Sequence, residues 1–279
     1  MLHPFESGTF ALRMGVRPLS LDTWLEVDRA TIEEQLALKR ELISGRQDEM
    51  VVAVDRPEVI AACQELDDLV VGWWSGRSEA PSEPDRSFHP IVRAALRTQE
   101  DWCLLDGPAG EVPVLVAGCV CFPTRWILTD KVGRTAAEIH RPVALYDDQL
   151  AVPVDRFLDR LRVGAPVWRA NWNLVDDDAL CQAYLPAPGR RLTCSALDVA
   201  DLVHLRVERQ TLRRLPNSGS IAFGIRVHQE PLRALEADPE VLSRLLSAIR
   251  GLPPETFAYK GLTAFWPELE AWLMSRTRR

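Results

Sequence analysis

Apolar residues recur every three or four positions through much of the N-terminal third of the chain. That spacing places them on one face of an α-helix, so residues 28–44 and 57–74 are expected to form amphipathic helices. The second stripe is the more regular one, and it consists of Val59, Cys63, Leu66, Val70 and Trp73. A polar, proline-containing loop follows at residues 75–87, and a third helix is expected at residues 90–98.

Two later stretches alternate between apolar and polar residues with a period of two, as β-strands do. In residues 202–210 the apolar side carries Val203, Leu205 and Val207, and the polar side carries His204, Arg206, Glu208 and Gln210. In residues 220–228 the apolar side carries Ile221, Phe223, Ile225 and Val227, and the other side carries Ala222, Gly224, Arg226 and His228. The turn at residues 216–219 predicts a hairpin whose two polar sides form one charged face.

The remaining patterns predict a second hairpin and several short helices. The hairpin is expected from residues 101–105 and 112–122, around a turn at 106–110. Thr135 and Glu138 have the spacing of a capping box, so a short helix should begin there and end near Arg141, before Pro142. Further segments are expected to be helical at 153–161, 232–249 and 266–274, and extended at 168–174. This order predicts an α+β fold, with an antiparallel sheet and flanking helices.

The charged face of the 202–228 hairpin allows two interpretations. If solvent covers it, the charges form an ordinary cross-strand ladder that contributes little to stability. If protein covers it, the charges must be paired or must hold an anionic ligand, because an unpaired buried charge is costly. Gly224 would leave room for a flat group, and the forked guanidinium of Arg226 suits a carboxylate.

Composition and charge argue against several classes of function. The net charge of −7 and the isoelectric point of about 5.4 disfavour nucleic-acid binding. The sequence carries neither a GxGxxG nor a P-loop motif, so neither a dinucleotide nor a flavin is expected on it. No secretory signal is visible, and the longest apolar run, residues 112–122, is far shorter than the ~20 residues that cross a bilayer. A cytoplasmic protein is therefore expected, without a membrane partner.

The cysteine and histidine positions narrow the choice of metal chemistry. None of the six cysteines forms a CxxC pair, which favours buried thiols over a zinc or iron–sulfur site. His140 is the best candidate for a metal ligand, because it closes a short helix just after an aromatic and basic segment. His204 and His228 lie on the polar sides of the strands and stay open as alternatives.

Three long segments resemble one known family. Residues 121–143 (CFPTRWILTDKVGRTAAEIHRPV), 169–174 (RANWNL) and 205–232 (LRVERQTLRRLPNSGSIAFGIRVHQEPL) are together similar to the haem-binding subunit of haem-dependent oxidative N-demethylase, also described as dimethylamine monooxygenase. The similarity extends to residues 13–28 and 259–262. The resemblance implies one PAS-like haem-binding domain over residues 1–279, with a helical N-terminal segment of about residues 1–99 packed on its α+β core.

The resemblance also implies a reaction and its partners. The family uses haem b and O₂ to remove a methyl group from a small secondary amine, and it releases formaldehyde. Electrons come from NADPH through FMN and iron–sulfur centres on partner subunits or domains, so a reductase partner and a homo- or hetero-oligomer are expected. The alternatives from other classes are a haem-binding PAS-like sensor or carrier without turnover, and a scaffold subunit that has lost haem.

Residue roles follow from the matched motifs. The IHRPV match makes His140 the expected iron ligand, and the expected contacts to the haem propionates are Arg125, Lys131, Arg169 and Arg206. Glu208 is expected to hold or deprotonate the amine, and Arg226 to pair with Glu208 or with a propionate. The sequence departs from the family pattern at Arg141 and His228, where a small residue and an aromatic residue are usual, so the amine substrate is left open.

Overall fold

A seven-stranded antiparallel sheet lies at the centre of the protein, in a computed structural model that describes residues 3–5, 13–78, 80–108, 110–185 and 194–277. Its strands are β1 (Arg17–Pro18), β2 (Val51–Ala53), β3 (Asp101–Asp106), β4 (Val114–Cys119), β5 (Val167–Val175), β6 (His204–Arg214) and β7 (Ile221–Pro231). Their order across the sheet is β1, β5, β6, β7, β3, β4, β2. The predicted α+β class is confirmed. Residues 1–2 and 6–12 of the predicted N-terminal segment lie outside the described residues.

Helices lie on both sides of this sheet. They are α1 (Ile32–Met50), α2 (Pro57–Trp74), α3 (Pro90–Leu96), α4 (Ala136–His140), α5 (Tyr146–Gln149), α6 (Ala151–Arg160), α7 (Val199–Leu202), α8 (Pro239–Arg250), α9 (Pro254–Tyr259) and α10 (Trp266–Thr277). The prediction for residues 57–74 is confirmed residue for residue, and both predicted hairpins form. The capping box at Thr135 is also present and begins α4. In the described part of the chain, no helix combines the length and the apolar character needed to cross a membrane.

Several helix predictions were wrong at their boundaries, and two short strands were missed. α1 ends at Met50 and not at residue 44, and α3 ends at Leu96 and not at residue 98. α1 begins four residues later than predicted, because the Asp28 carboxylate accepts hydrogen bonds from the Ala30 amide and the Thr31 hydroxyl. The predicted helix at 232–249 is divided at Asp238, whose side chain caps α8. β1 and β2 are two and three residues long, too short for alternation to reveal them.

The pairing of β6 with β7 distributes the charges differently from the prediction. Arg214 lies opposite Ile221, so each even-numbered residue of β6 lies opposite an odd-numbered residue of β7. Directly opposite residues share a face of the sheet. The two polar sides of the hairpin are therefore on opposite faces, and the prediction of one charged face was wrong.

These faces are named here after one residue each. The Glu208 face carries Arg206, Glu208 and Gln210 of β6, and Ile225, Val227 and Gln229 of β7. The Trp102 face carries Trp102 of β3, Val207, Arg209 and Thr211 of β6, and Gly224, Arg226 and His228 of β7. The Trp102 face lies under the N-terminal segment and, along Leu205 and Val207, under α8 and α10.

The space left by Gly224 is filled by an indole ring and not by a ligand. A Cβ atom at Gly224 would lie 2.8 Å from Cζ3 of Trp102 and 2.8 Å from Oγ1 of Thr211. The Trp102 ring in turn contacts Trp24, with 5.4 Å between ring centroids. Gly224 therefore allows an aromatic side chain to pack flat on the sheet, and the expectation of a ligand there was wrong.

A buried cation ties α1 to the strand that begins the first hairpin. Lys39 is fully buried, and its ammonium group lies 3.1 Å from Oδ1 of Asp101. It also donates to the backbone carbonyls of Ala95, Thr98 and Glu100. Asp101 accepts a further hydrogen bond from the Phe122 amide through its other oxygen. This network fixes the chain where it leaves the sheet for the segment after β4.

The contact at Gly224 generates a stability prediction. Gly224→Ala should lower the free energy of unfolding by about 1–3 kcal/mol, because the added methyl group overpacks against Trp102 and Thr211. Urea unfolding followed by circular dichroism measures the change. Gly72→Ala in α2 is the matched control, since its Cβ meets nothing within 4 Å, and it should leave the stability unchanged or raised by up to about 1 kcal/mol. Equal stability of both variants would contradict the packing argument.

Candidate functional site

The Glu208 carboxylate lies at the middle of the sheet and is held by two hydrogen bonds. The Thr124 hydroxyl donates to Oε1 at 2.7 Å, and the Gln210 amide donates to Oε2 at 2.9 Å. Asn171 of β5 is its neighbour across the strands. Glu208 is half-buried, so protein covers this face only in part, and the carboxylate is fixed in place while a side remains open to a ligand.

His140 faces the same region from the last residue of α4. Its Nδ1 lies 2.8 Å from the carbonyl oxygen of Ala136, and its ring stacks on Tyr146 with 4.8 Å between centroids and 13° between planes. A carbonyl only accepts hydrogen bonds, so Nδ1 carries the proton and Nε2 of the neutral ring has the free electron pair. Nε2 makes no hydrogen bond to any described residue.

The surroundings of His140 favour its neutral form. Burial lowers the pKa of the imidazole, and the positive charges of Arg169 and Lys131 lower it further, against the opposing effects of the Ala136 hydrogen bond and the Glu208 charge. A neutral imidazole is the form that binds a metal ion. These pKa shifts indicate that the charges of Glu208, Arg169 and Lys131 act on the His140 ring.

Strained backbone frames this region. Arg125 and Leu145 are the non-glycine residues with positive φ in the described ranges, at 57° and 65°. Arg125 directly follows Thr124, and Leu145 directly precedes Tyr146, so each adjoins a residue that contacts Glu208 or His140. Such conformations persist only where the surrounding structure enforces them, and they cluster at functional sites.

Two arginine side chains have incomplete hydrogen bonding. The Nε atoms of Arg125 and Arg169 are buried and bond to no atom of the described chain. Arg125 forms an ion pair with Asp176, and burial lowers the pKa of Arg169. Burial also lowers the pKa of Lys131, and Arg134 adds to that effect. The structure therefore brings the predicted residues Lys131 and Arg169 to the surroundings of His140, and it places Arg125 next to Thr124, which bonds to Glu208.

Arg206 lies on the Glu208 face, but all of its bonding nitrogens are used within the protein. Its guanidinium donates to the Thr124 hydroxyl, to Gln229 and to the carbonyls of Phe122 and Leu180, at 2.7 to 2.9 Å. The side chain is 1% exposed. Four of its five N–H donors are used in this way, so one hydrogen of Nη1 is left for the expected propionate contact, which stays a prediction. Arg206 instead holds Thr124 at Glu208.

Arg226 lies on the opposite face from Glu208, so their expected pairing is wrong. The register places Arg226 opposite Arg209. Its guanidinium donates to the Gln35 side chain and the Val227 carbonyl, each at 2.8 Å, and Glu100 and Glu26 supply the nearest opposite charges. Arg226 therefore joins the sheet to α1 and the segment before it.

The two alternative histidines lie away from His140. His228 is on the Trp102 face, where its Nε2 lies 2.9 Å from a carboxylate oxygen of Glu26. His204 is at the start of β6 and lines a separate cavity of about 280 Å³ with Gln35 and Gln229. Neither histidine shares surroundings with the residues around His140.

Lys260 was missed as a site residue in the sequence, although it lies in the matched segment 259–262. Its ammonium group donates to the Trp172 carbonyl at 2.6 Å and to Oδ1 of Asn173 at 3.0 Å, above the Trp172 ring. Burial lowers the pKa of Lys260 to about 8, Glu208 opposes the shift, and Arg169 adds to it. Thr124 and Tyr146 were also missed, because only the folded chain brings them to Glu208 and His140.

The arrangement fits haem better than a metal ion held by several side chains. Among the described residues, no group of three or more His, Cys, Asp and Glu side chains could hold a metal ion. Haem iron needs only one or two ligands from the protein, and the haem propionates are anionic. A neutral histidine with a free Nε2, near the buried guanidinium of Arg169 with its unused Nε donor, meets both requirements.

A comparison with protein families agrees with this geometry. The family described as haem-dependent oxidative N-demethylase, alpha subunit-like, matches residues 74–269. That range contains the residues that surround His140 and Glu208, whereas α1 lies outside it. Since the match covers well over half of the chain, the protein belongs to this family and is an enzyme of the haem-dependent oxidative N-demethylase type.

Proposed function

We propose that this protein binds haem b through His140 and removes a methyl group from a small secondary amine, such as dimethylamine, with release of formaldehyde. One observation carries the proposal: the free Nε2 of a neutral His140 and the hydrogen-bonded carboxylate of Glu208 belong to one cluster. The first suits iron and the second suits an ammonium group. The family membership supports the same chemistry.

The residues that would hold haem are His140, Arg125, Lys131 and Arg169. The hydrogen bond from Nδ1 to Ala136 fixes the tautomer of His140, and stacking on Tyr146 fixes the ring orientation. Arg125 and Arg169 have unused Nε donors for the propionates, and Lys131 adds a positive charge. When bound, haem would supply the activation of O₂. A PAS-like fold belongs to the same proposal.

Glu208 would hold the amine and accept its proton. Alkyl amines such as the lysine side chain have pKa values near 10.4 in water, so a small secondary amine arrives as an ammonium ion. Oxidation at nitrogen or at the adjacent carbon requires loss of that proton. Thr124 and Gln210 fix both carboxylate oxygens, so the carboxylate is oriented before the amine binds.

The electrons would come from outside this chain. Its sequence has none of the glycine-rich motifs that bind NADPH, and its cysteine spacing does not suit an iron–sulfur cluster. We propose a reductase subunit or domain that carries FMN and iron–sulfur centres, in a cytoplasmic homo- or hetero-oligomer. Arg226 is left out of the site, since it lies on the other face of the sheet.

Replacement of His140 tests the iron ligand. After reconstitution with haem, the unmutated protein should show a sharp Soret band, and His140→Ala should lose it or show it shifted with much weaker haem affinity. His204→Ala and His228→Ala are controls and should keep the band of the parent, because both lie away from His140. An unchanged spectrum in His140→Ala, or a loss of the band in a control variant alone, would show that another residue is the iron ligand.

Replacement of Glu208 tests turnover. Glu208→Gln should lower the rate of formaldehyde release by about 10²- to 10⁴-fold, the usual contribution of a positioned base, and should keep the haem spectrum. Glu230→Gln is the control, because Glu230 lies at the end of β7 on the Trp102 face and should leave the rate unchanged. A haem protein that releases no formaldehyde from any methylated amine, with a competent reductase, would be a sensor or carrier instead.

A further inference from the structure

Lys260 closes the outer side of β5 next to the Glu208 face. β1 covers only Val167 and Trp168 of that strand. Lys260 reaches it from the end of α9, where the following Gly261 turns the chain with a φ of 70°. Its ammonium group bonds to the carbonyl of Trp172 and to the side chain of Asn173, as described above.

The strand register places the Asn173 partner of this ammonium group diagonally across from Glu208. Asn173 lies opposite Arg206 and Asn171 lies opposite Glu208, so Asn173 and Glu208 are diagonal neighbours on one face. Diagonal neighbours are about 7–8 Å apart, within reach of long side chains. Lys260 therefore lies on the β5 side of Glu208, and the charge of Glu208 acts on it.

Few of the charged groups around Lys260 change charge near neutral pH. Arg169 and Arg206 stay protonated because a guanidinium has a pKa above 12 in proteins. Burial and the Glu208 charge raise the pKa of Tyr259, so it stays neutral. Lys260 itself loses its proton near pH 8, because its surroundings exclude water. Of these four residues, Lys260 is therefore the one whose charge changes between pH 7 and pH 9.

We propose that Lys260 controls whether Glu208 can hold an ammonium substrate. While Lys260 carries its proton, its positive charge acts on Glu208 and repels a second cation there. When Lys260 is neutral, the carboxylate is available to the ammonium group of the amine. This inference rests on the proposed function, because it takes Glu208 as the group that holds the amine. Lys260 acts through Glu208 and is a positioning residue.

Amine affinity at different pH values tests the proposal. Dimethylamine and N-methylpropylamine would be titrated calorimetrically into the haem-reconstituted protein between pH 6.5 and 9. For a lysine pKa of about 8, the neutral fraction rises from roughly one-tenth at pH 7 to nine-tenths at pH 9, so the affinity should rise about tenfold. Lys260→Met should bind at every pH with the high affinity of the parent at pH 9. Lys260→Arg should bind weakly at every pH, because its charge is permanent.

The unmutated protein offers a second measurement that needs no folded variant. Binding of an ammonium ion at pH 7 should release close to one proton from Lys260, which calorimetry in buffers of different ionisation heat detects. Lys260→Met should release no proton on binding. This control distinguishes a proton released by Lys260 from one lost by the amine itself. Binding without proton release in the parent, or an unchanged pH profile in Lys260→Met, would overturn the proposal.

The outcomes also separate this inference from the proposed function. If haem binds and formaldehyde is released, but the affinity does not depend on Lys260, only the inference is wrong. If neither amine binds to any variant at any pH, both the inference and the assignment of Glu208 are wrong. A melting temperature and Soret band like those of the parent would show that each variant is folded.

Discussion

The backbone register in which Arg214 of β6 lies opposite Ile221 of β7 decides where every charge of the long hairpin goes. Because side chains alternate between faces, a shift of β6 by one residue would place Glu208 on the face of Arg226 and move Arg209 away from the carbonyls of Thr23 and Trp24 that accept its hydrogen bonds. The observed register separates two functions. One face supports the packing of the N-terminal segment, and the other presents a fixed carboxylate to a candidate haem site.

Buried cations join the sheet to the segments around it on both faces. Lys39, Arg206 and Arg226 are each 1% exposed or less, and each donates to at least one backbone carbonyl. A buried charge without partners would cost several kcal/mol, so these side chains are stable only when the loops that supply the carbonyls are in place. The connecting segments and the strands therefore fold into their final geometry together.

The parts of the site that depend on residues close together in the sequence could be predicted from it. The capping box of Thr135 and the proline at position 142 fix the ends of α4, and so His140 at its last turn was foreseeable. The residues that surround Glu208 could not be predicted in this way. The register of the hairpin depends on its six-residue connection at 215–220, for which no residue pattern gives an unambiguous turn. Lys260 reaches β5 from 88 positions further along the chain, a contact that no local spacing reveals.

The guanidinium of Arg206 has a consequence for motion. It bonds to the carbonyl of Phe122 in the segment after β4 and to that of Leu180 in the segment after β5. Since one rigid planar group holds both segments, neither can swing outward alone without leaving a buried donor unsatisfied. An outward movement of either segment therefore requires the displacement of both.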